Sequence, residues 1–285
     1  MKKLSLAQIY SRLHLLESQY NWTSNTFYDS RKNPNANGKT FPAMSFSSPT
    51  KGPAAWIISG IHGEEPAGPN AIARNIEFLG ELGAKIPIVL FPLCNPLGYS
   101  KSWRYPYQRK WGINLPNISA GDSEHYLPDL NNPKRPRTNK PSCQESQKLI
   151  GEILRLSKTY PISVCFDLHE DNMIDQGYIY AYGTDEGLKQ YLSKQLLSAL
   201  NANQVRIKKR GKTRFNEPIK NGVIPGIQDG SIEELLSSSY LIINSKRTKG
   251  PGGEACFVVE TPAAALPLEK RVAAHSAILK LLERL

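Results

Sequence analysis

The sequence predicts an α/β sandwich, and two observations carry that reading. Short apolar or β-branched runs alternate with segments of helical periodicity. Several of the runs are apolar at every position, as strands covered by helices on both faces must be. The strand runs are AAWIISGI (54–61), IPIVLFPL (86–93), ISVCFDLH (162–169), GYIYAYG (177–183) and ACFVVET (255–261).

Residues 1–50 read as an N-terminal helix and lead-in. Leu4, Leu6, Ile9, Leu13 and Leu16 recur at roughly helical spacing and predict an amphipathic helix. Met1-Lys2-Lys3 resembles the start of a secretion signal, but Gln8, Arg12, His14 and Glu17 interrupt any apolar core, so no cleaved leader is expected. Further helical patterns fall at about 66–82, 142–159, 186–202 and 266–285. Pro66 suits a first helical turn, and the last segment is rich in strong helix formers. Residues 95–141 hold many Pro, Gly, Asn and aromatic residues with little periodicity. Trp103, Tyr105, Tyr107, Trp111 and Tyr126 favour burial there, so a packed irregular loop bordering a site is expected. A second such stretch covers about 208–230. No internal repeat or low-complexity linker divides the chain, and a single domain spans 1–285.

Hydrophobic residues make up 40% and charged residues 21% of the chain, which is globular and excludes wholesale disorder. No stretch approaches the ~20 apolar residues of a membrane span. Cys94, Cys143, Cys165 and Cys256 are scattered without a Cys-x-x-Cys pair, and a reducing, cytoplasmic setting is expected. The net charge of +11 is concentrated in NPKRPRTNK (132–140) and RIKKRGKTR (206–214). Solvated basic loops explain it, as does attraction of an anionic substrate or polyanion.

Of five histidines, His14 and His275 lie in helical patterns without neighbouring ligand types, and His125 lies in a polar loop. His62 and His169 differ from these. Each ends an apolar strand run and precedes acidic residues, in IISGIHGEE and CFDLHED. Sites in open α/β sheets form outside the carboxyl ends of strands. Two adjacent strand ends would bring both imidazoles together with Glu64 or Glu65, a ligand set suited to a catalytic zinc. Strand alternation points Asp167 to the same side as His169, as a partner that holds the imidazole tautomer.

The order of landmarks resembles the carboxypeptidase A-like zinc metallopeptidases, a superfamily that includes the succinylglutamate desuccinylase and aspartoacylase deacylases. HGEE (62–65) resembles its His-x-x-Glu motif, and CNPLGY (94–99) its Asn-Pro-Asp-Gly turn, with Leu97 in place of the acid. DLNNP (129–133) resembles Asp-Leu-Asn-Arg, and DLHED followed by YIYAYG is similar to the segment with the third metal ligand. CFVVETP (256–262) is similar to the strand with the catalytic glutamate. The resemblance implies a three-layer α/β/α sandwich around a mixed, mainly parallel sheet. It implies one zinc ion per chain on His62, Glu65 and His169, with Glu260 as general base toward metal-activated water. Arg104 matches the arginine that stabilises the oxyanion, with Arg109 as a nearby competitor.

The chain also departs from the family pattern. Asn131 matches the substrate-binding asparagine, but Asn132 stands where the carboxylate-binding arginine belongs. An amide cannot replace a bidentate guanidinium, so Arg135 or Arg137 would have to supply that charge. Tyr240 lies near the spacing of the family's substrate tyrosine. The resemblance thus implies a zinc-dependent amide hydrolase acting on peptides, with an N-acyl amino acid deacylase as the alternative. A non-catalytic polyanion-binding module would explain the charge but not the His/Glu/His/Glu set. A second metal on Glu64 or Glu170 is not required by any spacing.

Overall fold

The computed structural model describes residues 1–107 and 118–285, so Arg109 and Trp111 lie outside the described residues. Helix α1 (Leu6–Tyr20) leads into an antiparallel pair, β1 (Thr23–Asp29) and β2 (Pro42–Ser47). Then come β3 (Ala54–Ser59), α2 (Ala67–Arg74), α3 (Ile76–Gly83), β4 (Ile88–Phe91), α4 (Pro96–Lys101) and α5 (Gln144–Leu156). Strands β5 (Ile162–Asp171) and β6 (Tyr178–Tyr182) precede α6 (Glu186–Ala202). Three short strands follow, β7 (Arg210–Lys212), β8 (Pro218–Lys220) and β9 (Val223–Pro225). The chain ends with α7 (Ile232–Ser237), the hairpin β10 (Tyr240–Ile243) and β11 (Lys246–Lys249), β12 (Ala255–Pro262) and α8 (Leu268–Lys280).

All strands but the β10–β11 hairpin join one sheet in the order β1-β2-β4-β3-β5-β12-β6-β9-β8-β7. The four central strands, β4, β3, β5 and β12, run parallel, and antiparallel pairings flank them on both sides. One face carries α1, α2, α3, α6 and α8 over Ile57, Phe166 and Phe257. The other carries α5 and α7 over Trp56, Cys165 and Val258. This is the expected three-layer sandwich. Strand β3 is buried at every position because both of its faces are covered, which is why it reads as an unbroken apolar run. The N-terminal helix also forms, closed by a capping box between Ser5 and Gln8 and anchored by Ile9, Leu13 and Leu16.

Three local features depart from expectation. The lead-in contains β1, which is polar and mostly exposed or half-buried, and β2, which is largely buried but interrupted by Ser45 and Ser47, so neither gives an apolar run. The helix expected over 66–82 breaks at Asn75, whose side-chain amide donates to Ala71 O (2.7 Å) and to Ser276 on α8 (2.8 Å). The stretch expected to be irregular at 208–230 holds β7, β8 and β9. No helix among the described residues is long and apolar enough to cross a membrane.

The parallel arrangement sets the carboxyl ends of β4, β3, β5 and β12 along one edge of the sheet. The loop after β3 and the turn after β4 pack there almost backbone to backbone. A Cβ on Gly63 would lie 2.1 Å from the Gly98 carbonyl carbon, so only glycine fits. Asn95 caps α4 by accepting from Gly98 N–H (2.9 Å), and its amide donates to the Arg104 carbonyl (3.3 Å). Gly63 N–H donates to that same carbonyl (3.2 Å). Leu97, in place of the family acid, is buried and leaves this turn intact.

Two predictions follow from this packing. Gly63→Ala should destabilise the protein by about 1–3 kcal/mol or more in urea denaturation, because neither backbone can yield. Gly151→Ala, on the exposed face of α5 with nothing near its Cβ position, should gain about 0.5–1 kcal/mol. His275 on α8 is fully buried, its Nε2 3.1 Å from Thr261 Oγ1, and burial foremost lowers its pKa from 6.5 to about 3. The fold holds it neutral, so its contribution is complete above about pH 6.5 and is lost as pH falls toward 3. That loss is at most about 4–5 kcal/mol. The stability difference between wild type and His275→Phe should therefore shrink between pH 6.5 and 4; an unchanged difference would refute the buried neutral imidazole.

Candidate metal centre and active site

The site begins where β3 ends. Chain reversal at His62–Glu65, with Glu65 N–H donating to His62 O (3.2 Å), puts the two side chains on one side of the turn. His62 Nδ1 lies 3.0 Å from Glu65 Oε1. His169, at the end of β5, presents Nδ1 3.1 Å from Glu65 Oε2. One ligand atom from each of His62, Glu65 and His169 falls within 4.8 Å of the others, the one such group of three or more among the described residues.

These residues fit a zinc ion. His62 Nδ1 is buried and has no hydrogen-bond partner, although it faces a carboxylate. Burial foremost lowers the His62 pKa and favours its neutral imidazole. At His169 burial is outweighed by Asp167 and Glu65, which raise the pKa, so metal binding there must displace a proton. Burial opposes the charge on Glu65, but His62 and His169 outweigh it and hold the carboxyl below its ordinary range. Glu65 is also fixed by Glu170 N–H (3.1 Å) and by Arg104 Nη1 (2.8 Å). Behind His169, Asp167 Oδ2 lies 3.0 Å from Nε2, on the side strand alternation predicts. Two nitrogens and a carboxylate leave room for a fourth, exchangeable ligand, as in hydrolytic zinc sites.

Glu260 and Tyr178 extend this arrangement across the sheet. Glu260 on β12 pairs in register with His169 on β5 and with Tyr178 on β6, which sets the three in a row. Burial, opposed by the His169 charge and reinforced by Glu65 and Asp171, pushes the Glu260 pKa up to about 8. Its Oε2 has no hydrogen-bond donor. A carboxyl so poised can take and return a proton near neutral pH. Tyr178 donates to Asp171 (2.6 Å), which stands two residues beyond His169 on the same strand face. That alternation is a signal from which Asp171 could have been read.

Arg104 belongs to the cluster. Its Nη1 bridges Glu64 (3.1 Å) and Glu65 (2.8 Å), while its buried Nε has no acceptor. A cavity of about 610 Å³ opens beside His62, His169 and Arg104. Its wall carries Asp122, Glu124, Asp229 and Glu233 together with Lys140 and Arg214.

The remaining expected substrate residues lie outside that cavity. Asn131 and Arg135 are exposed; Asp129 accepts from Asn131 N–H (2.8 Å) and pairs with Arg135 (3.4 Å). Arg137 is tied to Glu234 through both guanidinium nitrogens. Tyr240 packs under Arg247 (3.8 Å) and, with Arg137, lines a separate cavity of about 310 Å³. Placement beside the metal cluster, expected for these four, is not what the fold produces: an Asx turn at Asp129 and the Glu234 pair hold the segment away. Glu170 is not disposed toward a second metal, because it accepts from Ala67 N–H (2.7 Å) and pairs with Arg271. His14 is exposed beside Glu17, and His125 packs against the Tyr126 ring. Glu233, at the start of α7, was not singled out by any motif.

The zinc carboxypeptidase family model matches residues 35–235, most of the chain, including His62, Glu65 and His169. A candidate metallopeptidase from Shewanella amazonensis superimposes with a TM-score of 0.72 at 23% identity, over 96% of this chain and 90% of that one. A candidate metallopeptidase from Shewanella baltica gives 0.73 at 21% identity, over 97% and 91%. Bovine thrombin-activatable fibrinolysis inhibitor, solved with tick carboxypeptidase inhibitor, gives 0.55 at 13% identity, over 99% and 98%. At these identities the structures establish a shared fold. No curated protein sequence matches the chain. The family model spans all three residues of the metal cluster, and the chain belongs to the zinc carboxypeptidase family.

Proposed function

We propose that the protein hydrolyses an amide bond in a peptide, using one zinc ion held by His62, Glu65 and His169. The observation that carries this reading is the convergence of those three ligand atoms beside Glu260, the residue in register with His169. When bound, the zinc ion would polarise the scissile carbonyl and lower the pKa of an attacking water. Glu260 takes the proton of that water and returns it to the departing amine, a role suited to a half-buried carboxyl whose Oε2 has no donor. Arg104 offers its unfilled Nε toward the developing oxyanion while its Nη1 stays on Glu64 and Glu65. His169 keeps its orientation through Asp167. The four cysteines are free and buried, in keeping with the cytoplasmic location we propose.

A second reading, hydrolysis of an N-acyl amino acid, uses the same metal centre. Arg135 and Arg137 are held by Asp129 and Glu234, so these two arginines do not supply the charge that the α-carboxylate of either substrate would need.

Three measurements test these readings. Glu260→Gln should keep stoichiometric zinc and lose about 10²–10⁴-fold in kcat. His62→Ala should lose zinc, as read by elemental analysis after gel filtration; a stoichiometric ion in that variant would remove His62 from the ligand set. Zinc-loaded protein offered a panel of peptides and N-acyl amino acids should release free amino acid from one class only. Cleavage of neither would overturn the hydrolase assignment.

A further inference from the structure

The β7–β8 hairpin ends in a closely bonded loop. Thr213 is buried at its base, where its Oγ1 accepts from Phe215 N–H (3.2 Å) and Glu217 N–H (3.4 Å) and donates to Glu217 Oε2 (2.6 Å). Thr213 N–H donates to the Glu217 carbonyl (3.0 Å), and Asn216 N–H to the Thr213 carbonyl (3.0 Å). Tyr180 on β6 donates its phenol to Glu217 Oε2 (2.7 Å) and ties the loop to the sheet. Tyr180 lies two residues from Tyr178, so the tie is made on the sheet face that carries Glu260.

This framework holds two side chains outward. Phe215 is 62% exposed, and the Arg214 guanidinium carbon lies 4.7 Å from its ring centroid. Both residues line the cavity bordered by His62, His169 and Arg104. Water is a poor neighbour for an exposed ring, and a loop bonded in this way cannot fold the ring into the core. In a cavity beside the reacting centre, the molecule able to cover it is the substrate. Ile61 and Ile232 line the same cavity and offer an apolar side chain further partners.

We propose that Phe215 is a specificity-determining residue, which packs against an aliphatic or aromatic side chain of the substrate near the bond to be cleaved. Arg214 braces the ring, and Thr213, Glu217 and Tyr180 set its position. Magnitudes favour this occupant over a charged one. An exposed ion pair with Arg214 or Lys140 changes affinity by about fivefold at most. Taking a phenyl ring and its apolar partner out of water changes it by about tenfold or more. Of the wall carboxylates, Asp122 already accepts from Glu124 N–H (3.1 Å), and Asp229 from Tyr182 O–H (3.3 Å) and Ser231 N–H (3.0 Å), which weakens their pull on a cationic side chain.

The inference rests on the proposed hydrolase reading for its substrate, and the experiment separates the two. Metal-free full-length protein, in which no hydrolysis intervenes, is titrated calorimetrically with tetra-alanine and with forms carrying Phe, Leu, Asp or Lys at each position in turn. N-acetyl derivatives of the same amino acids form a second series. At one position the Phe and Leu forms should bind about tenfold more tightly than the alanine parent. Phe215→Ala should erase that preference, keep the parent's affinity within about twofold and leave the thermal midpoint unchanged, whereas Phe215→Leu should retain most of the preference. In the zinc-loaded enzyme, Phe215→Ala should raise KM for the apolar substrate with kcat little changed. A wild-type preference for the Asp or Lys forms, no discrimination at any position, or an apolar preference that survives in Phe215→Ala would each overturn the proposal. Phe215-dependent binding without cleavage of either series by zinc-loaded protein would instead overturn the hydrolase reading and leave the binding role standing.

Discussion

The structure depends on one buried carboxylate. Glu65 is 5% exposed, and its two oxygens are contacted by His62, His169, Arg104 and the Glu170 N–H. These groups come from three separate segments: the turn after β3, the end of β5 and the loop after α4. A buried charge missing one such partner costs several kcal/mol, so these segments must be aligned before the carboxylate is tolerated. The parallel pairing of β3 with β5 supplies most of that alignment. The rest comes from the Gly63–Gly98 contact and from the Arg104 carbonyl, which receives donors from both Gly63 and Asn95. The metal cluster and the fold are thus one set of constraints.

A recurrent device surrounds that carboxylate. Glu64 and Glu65 are consecutive, and Arg104 holds both. His169 is followed by Glu170, which Arg271 of α8 holds. Glu233 is followed by Glu234, which Arg137 holds. In each pair one residue faces the site while its neighbour is clamped by a guanidinium from another element. A bidentate or buried guanidinium restricts its partner far more than an exposed lysine would. The clamp on the neighbour limits the backbone at the site residue, and Arg271 and Arg137 do so from outside the cavity that Arg104 lines. Arg137 therefore has a defined position of its own, distinct from binding a substrate carboxylate.

What was legible beforehand follows a physical rule. Central strands announce themselves because both faces are apolar, and His62 and His169 were found because each stands where such a strand stops. Asp167 was found from strand alternation, which is fixed by covalent geometry. Polar edge strands such as β1 gave no comparable signal, since only pairing with β2 makes them strands. The break at Asn75 depends on Ser276, two hundred residues away in sequence, and no local pattern reports it. Residues such as Glu233 are harder still: a glutamate at the start of a short helix reads as exposed, and only tertiary packing makes it buried. The segment after DLNNP is a like case, because Asp129 and Glu234 engage its arginines and no local pattern reports the Glu234 pairing.

Charge is distributed so that attraction and recognition are separated. The +11 net charge resides largely on exposed lysines and arginines, with Arg210, Lys212 and Lys220 on the β7–β8 hairpin among them. Such charges draw in an anionic molecule over a distance but are screened within about 8–10 Å at ordinary ionic strength. The cavity wall itself holds more described carboxylates than cations, with Lys140 and Arg214 exposed at its margin. Countercharge for an anionic group is thus available at the exposed margin, apart from Arg104 and the two histidines of the metal cluster. A rim contact in water contributes about 0–1 kcal/mol, too little to select one substrate alone. Any selectivity must instead arise where water is excluded, along the wall that α7 helps to build.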